Sequence, residues 1–138
     1  MRMRILMFAT LLAVTIPVAA FAGSTKTSLH AAMTGAAERP KGDANGRGTA
    51  EIVVVNRKVC WELSVRNIGK PQAAHIHKGR AGVSGPVVVP LGSTYRNKGC
   101  TTTTAANASA IAARPRTFYV NVHNAAYPNG AVRGQLHR

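Results

Sequence analysis

The clearest rhythm in the chain is a two-residue alternation. Val59, Trp61, Leu63 and Val65 alternate with Cys60, Glu62, Ser64 and Arg66, which predicts a strand with one face on a core. Leu29, Ala31 and Met33 alternate more weakly with His30, Ala32 and Thr34, and Thr49 to Asn56 is rich in β-branched residues. Arg57-Lys58 is expected to turn that strand back. Further strands are predicted through Ala74-His75-Ile76-His77, at Val87 to Leu91, at Thr101 to Thr104, at Thr117 to Asn124 and at Ala131 to His137. Glycine, proline, asparagine and aspartate separate them, most densely from Gly35 to Gly48 and at Tyr127-Pro128-Asn129-Gly130, a turn that makes the last two strands a hairpin. Only Asn107 to Ala113 has helical character, as a short turn before Pro115. Seven or eight short strands at regular spacing predict an all-β chain, a sandwich or small barrel.

Composition limits what such a domain can do. The basic Met1-Arg2-Met3-Arg4, an apolar run from Ile5 to Val18 and the small-residue site Ala20-Phe21-Ala22 read as a cleaved signal peptide over residues 1–22, with the domain over residues 23–138. The apolar run is too short for a comfortable membrane span, and no second one follows. Export to the periplasm or outside the cell is the expectation. Removing Arg2 and Arg4 with the leader lowers the formal net charge from +14 to +12 and leaves 116 residues, enough for one core. The cations are scattered at turns and strand ends, and aromatic residues for base stacking are few, so nucleic acid is not the expected partner. Weak binding to anionic surfaces, or steering of small anions, fits better. Cys60 and Cys100 are the only cysteines; an even count in an exported chain predicts that they pair. Closing the intervening loop contributes about 4 kcal/mol in the chain-entropy model.

The candidate chemistry lies in histidines. On a strand His75 and His77 point to one face and Ile76 to the other. In the strand from Thr117 to Asn124, Phe118, Val120 and Val122 are expected on the core, leaving Tyr119, Asn121 and His123 on a polar face beside the hairpin. On the partner strand Arg133 and Gln135 share a face. Two imidazoles from one strand and a third from another can surround one point, a nitrogen set suited to copper or zinc rather than to calcium or magnesium. Carboxylate chemistry is poorly supplied: Glu38, Asp43, Glu51 and Glu62 are the only acidic residues, none next to a histidine. That argues against a calcium site, a glycosidase pair or a carboxylate-based triad. Ser84 and Ser93 lack a nucleophile elbow. Gly79-Arg80-Ala81-Gly82 opens no helix, so it reads as a tight reversal rather than a phosphate cradle. His30 and His137 are expected at the surface. A bland alternative stays open, in which the histidines hydrogen-bond loops and the basic surface binds an acidic polymer.

These segments resemble a known family. Ala74-His75-Ile76-His77 with Gly79, Gly82, Gly85-Pro86-Val87-Val88 and Leu91 is similar to a signature of the CHRD domain. Tyr119-Val120-Asn121-Val122-His123-Asn124, Tyr127-Pro128-Asn129-Gly130 and Arg133-Gly134-Gln135-Leu136 are similar to its second signature, and Thr34-Gly35-Ala36-Ala37-Glu38-Arg39-Pro40 to its opening element. Ala131 stands where the family often has an acidic residue. The resemblance implies a secreted or periplasmic β-sandwich module. More distantly, the HxH strand, the late Val-His strand and a downstream arginine resemble the copper half of Cu/Zn superoxide dismutases. That likeness implies a single immunoglobulin-like or superoxide-dismutase-like Greek-key β-sandwich with His75, His77 and His123 as copper ligands and Arg133 guiding a small anion such as superoxide. The zinc ligands of those enzymes have no counterpart here. Three functions follow as expectations: a copper- or zinc-binding module, a copper-dependent superoxide dismutase-like enzyme, or a metal-free extracellular interaction domain.

Overall fold

The computed structural model describes residues 24–138; the expected signal peptide lies outside them. Eight antiparallel strands form one nearly closed sheet in the order β5-β4-β7-β8-β1-β2-β3-β6. They are β1 (Lys26–Thr34), β2 (Arg47–Val55), β3 (Lys58–Arg66), β4 (Pro71–Lys78), β5 (Val87–Pro90), β6 (Lys98–Thr102), β7 (Phe118–Asn124) and β8 (Val132–Gln135), with one helix, α1 (Ala105–Ala113), before β7. The all-β, sandwich-like class and the disulfide stand as the sequence predicts.

The sheet has two halves. β1, β2 and β3 form a meander with nine-residue registers, and β6 pairs with β3 so that Cys60 lies directly opposite Cys100 and is bonded to it. β5, β4, β7 and β8 form the other half. The halves join where Thr34 of β1 pairs with Arg133 of β8, and His30 and His137 bridge through their backbones nearby. A side chain at Gly134 would run into the Ala32 carbonyl, so the close approach of β8 to β1 requires glycine there. Leu29, Ile52, Trp61 and Leu63 of the first half share one buried core with Ile76, Val120, Val122 and Val132 of the second. Alternation of apolar residues in each strand places them there.

Three local expectations shift. The β2–β3 reversal falls on Asn56-Arg57, not Arg57-Lys58, because Asn56 takes the left-handed conformation (φ 55°) that asparagine tolerates. β6 starts at Lys98, so Cys100 lies within the strand rather than at its entrance. The alanine-rich stretch makes a nine-residue helix instead of a turn. Thr104 caps it by accepting from the Asn107 N–H, Ala108 and Ile111 are buried, and it stops before Pro115. Among the described residues no helix is long and apolar enough to cross a membrane.

Candidate metal centre

The antiparallel ladder between β4 and β7 sets His77 opposite Tyr119, His75 opposite Asn121 and Ala73 opposite His123. His75 and His123 are therefore diagonal neighbours on one face, close enough for their rings to meet. Their ring centroids are 4.9 Å apart, with His77 at 5.6 Å from His75 and 6.3 Å from His123. One ligand atom from each of the three lies within 4.8 Å of the others. His75 and His123 are half-buried and His77 is buried.

Backbone carbonyls select which nitrogens are free. His77 Nδ1 lies 2.8 Å from the Gly85 oxygen and His123 Nδ1 lies 2.9 Å from the Pro128 oxygen. A carbonyl only accepts, so each Nδ1 carries the proton and each Nε2 keeps its lone pair. Nδ1–H to carbonyl is the usual means of fixing the tautomer of a metal-binding imidazole. His77 Nε2 is buried with no hydrogen-bond partner, an orphan of the kind a bound ion would satisfy. His123 Nε2 is 3.1 Å from His75 Nδ1. Two nitrogens on one ion at bond lengths of about 2.0–2.1 Å sit roughly 3 Å apart, so this pair fits. The available set is His75 Nδ1, His77 Nε2 and His123 Nε2.

Electrostatics favours the neutral form of His75 and His77. Burial first, then the neighbouring His123 and His77, push His75 down to about 4. Burial is also the largest cause that lowers His77, opposed by its bond to Gly85. An imidazole held below its ordinary value of 6.5 offers its lone pair at neutral pH instead of a proton.

Arg133 lies one strand further on, opposite Asn121. Its side chain is only 1% exposed. Nη2 donates to the carbonyls of Arg80 (2.9 Å) and Val83 (2.7 Å), and the guanidinium carbon lies 3.4 Å from the centre of the Tyr119 ring. Tyr119 in turn stacks on His77, with ring centres 4.8 Å apart and planes 7° from parallel. The Tyr119 hydroxyl accepts from the Gly85 N–H, and Gln135 donates to the Gly79 oxygen at 2.7 Å. The 79–86 loop is thus pinned over the polar face of β7 and β8 by residues of both strands. That explains why the polar face of β7 is itself shut at these positions: Tyr119 is 3% and Asn121 2% exposed.

Sequence reasoning missed the parts that two residues play in this site. Asn121, placed on the face of His123 by its even spacing but given no role, has its side-chain Oδ1 3.0 Å from His123 Nε2; to meet a lone pair there the amide turns its NH2 toward the ring. Glu38 carried no such signal. A 3-10 turn at Gly35–Ala37, capped by the Thr34 hydroxyl, directs it inward to 2% exposure. Its carboxylate packs on Gly130, whose backbone (φ 130°) and missing side chain leave room for it. Burial pushes this carboxyl up to about 7 against the opposing effects of Arg133, Asn121 and the Arg39 backbone. A carboxylate thus comes from the start of the domain to the stretch before Val132 where the chain itself has Ala131. His30 and His137 are exposed, away from the cluster.

A family model for the CHRD domain matches residues 29–136. No curated protein and no solved structure gives a significant match to the chain.

Proposed function

The chain belongs to the CHRD-domain family, and from that premise we propose that it is an exported metal-binding module holding copper or zinc through His75, His77 and His123. The observation that carries this reading is the convergence of three imidazoles, with one ring nitrogen of each within 4.8 Å of the others; the buried, unpartnered Nε2 of His77 supports it. Three imidazole nitrogen donors suit a borderline or soft ion. Each chain residue has a distinct part. His75 and His123 face outward and take up the ion, and His77 supplies the buried ligand. The Gly85 and Pro128 carbonyls hold two tautomers, while Tyr119 fixes the ring plane of His77. When bound, copper would supply one-electron chemistry and zinc would supply none. Export is supported by the leader-like residues 1–22 and by a disulfide that fits an oxidising compartment.

Titration of the metal-free protein with Cu(II) and with Zn(II), followed by calorimetry, tests the reading. Saturable one-to-one binding that is lost in His75→Ala and His123→Ala is expected. Affinity untouched by both substitutions overturns the assignment and favours the loop-bonding, metal-free interaction domain. A second reading, superoxide dismutation by the copper form, is favoured by the half-exposed His75 and His123, which leave one side of the site open to solvent. In that reading the charge of Arg133 acts on an approaching anion as a field through the 79–86 loop, since the guanidinium itself is covered. Absence of dismutation by copper-loaded protein removes this second reading and leaves metal binding standing.

A further inference from the structure

At the other end of β7, six residues and roughly 20 Å of strand from His123, the cations of the chain are not scattered. Three adjoining recesses meet at Thr117. The largest, of about 680 Å³, is lined by Arg80, Arg116 and His137. A second, of about 400 Å³, is lined by Arg114, Arg116 and Arg138, and a third, of about 390 Å³, by Lys78, Arg80 and Arg114. All six basic side chains are exposed, and no acidic residue lines any of the three. Among the described residues the one ion pair, Lys98–Glu62, lies elsewhere. Arg138 is held in place by its bond to the Ala112 oxygen. The positions were invisible as a cluster because the end of β4 and the loop after it, the segment before β7 and residues 137–138 supply them from separate stretches.

We propose that this face is a binding site for a strand of acidic polysaccharide, its carboxylates received by the arginines around Thr117. The proposal does not rest on the metal reading. Like charges crowded without counter-charges raise the local potential and concentrate an anionic ligand, most of all in recesses. Guanidinium forks match carboxylate geometry in pairs. Phe118 is buried and no phenylalanine, tyrosine or tryptophan ring is exposed in the recesses, so the single imidazole of His137 is the one aromatic ring on offer, too little for the run of stacked bases that a single strand of nucleic acid needs. Among the described residues the two exposed large apolar side chains, Val83 and Val87, line none of them, which removes the apolar insertion that would complement charge at a lipid surface.

The test measures fluorescence anisotropy of labelled alginate oligosaccharide with the metal-free protein in chelator. It compares Arg80→Ala/Arg114→Ala/Arg116→Ala with Lys26→Ala/Lys41→Ala/Lys70→Ala, which removes the same charge from exposed positions elsewhere. Arg80, Arg114 and Arg116 enter the hydrogen bonds of the fold through backbone groups, so the arginine variant keeps those bonds; its melting curve checks folding. The expected result is at least a tenfold loss of affinity in the arginine variant and less than a threefold loss in the lysine variant, with wild-type binding weakening as salt rises. Equal losses in both variants would mean net charge alone and would overturn the site. Absence of alginate binding, or a stronger dependence on these arginines for phosphatidylglycerol vesicles or single-stranded DNA, would overturn the ligand class.

Discussion

Both faces of β7 are closed to water as far as Val122, with His123 half-buried beyond it, yet they are built from opposite chemistry. Phe118, Val120 and Val122 are sealed by apolar packing, with the core of both sheet halves against them. Tyr119 and Asn121, on the other face, are sealed just as well by a glycine loop that has little apolar substance of its own. What holds that loop is hydrogen bonding between its backbone and the side chains of Arg133 and Gln135, which donate, and Tyr119, which accepts, together with the stack of Arg133, Tyr119 and His77. Burial on the first face is non-directional and generates stability. On the second it is directional and fixes where three imidazoles point. The difference teaches that a strand can carry a structural and a chemical surface at once, each needing different residues at the same depth.

Substitutions can separate the two. Phe118→Ala removes a large side chain from the apolar face and should cost about 3–5 kcal/mol in denaturant unfolding, while protein that remains folded binds metal as before; a matching loss of affinity in the folded fraction would mean the faces are not independent. His123→Ala should do the reverse. Copper or zinc affinity should fall about 100-fold, or about 2.7 kcal/mol, and metal-free stability should change by less than about 1 kcal/mol, because that ring is half-buried and lies on the polar face of β7. Tyr119→Phe keeps the stacked ring and deletes only the bond to the Gly85 N–H. It should cost about 1 kcal/mol and speed amide exchange at Gly85 relative to the strands; unchanged exchange would deny the hydroxyl a part in pinning the loop.

The subtlest test is pH. Glu38 is raised from 4.5 to about 7, so the folded protein holds this proton more tightly than the unfolded chain does. Its contribution to stability is full below 4.5 and is lost as pH rises through 7. Glu38→Gln mimics the neutral acid, and its melting temperature should gain on that of the wild type as pH increases from 5 to 8. His75, lowered from 6.5 to about 4, works in the opposite sense in metal-free protein: its contribution is present above 6.5 and lost as pH falls toward 4. Glu38→Gln should therefore expose a steeper acid-side loss of stability than the wild type shows. A melting-temperature difference that stays flat from pH 5 to 8 would place the Glu38 carboxyl outside the buried network.

Much of this was legible along the chain, for physical reasons tied to local pattern. Period-two alternation is a property of the strand backbone, so the core faces of β1, β3 and β7 could be read without knowing their partners. His75 and His77 share a face for the same reason. Two cysteines allow one intramolecular pairing. The resemblance of three segments to the CHRD domain named the family. Glu38 could not be read in this way. Its place beside Asn121 and Arg133 depends on the 3-10 turn after β1, on β1 lying next to β8, and on Gly130 leaving room. Arg133 and Gln135 were placed together on one face, but nothing local shows that their partners are carbonyls of a loop some 50 residues earlier.

By itself the sequence determined which residues alternate inward, which two thiols pair and which three histidines are candidates, because those follow from backbone periodicity and from the residue inventory. Tertiary structure alone decided that β4 and β7 are neighbours in the register that sets His75 diagonal to His123, that a glycine loop seals the polar face, and that arginines from separate stretches meet around Thr117. Strand order and loop docking are set by contacts between residues far apart in the chain, whose energies no local pattern records.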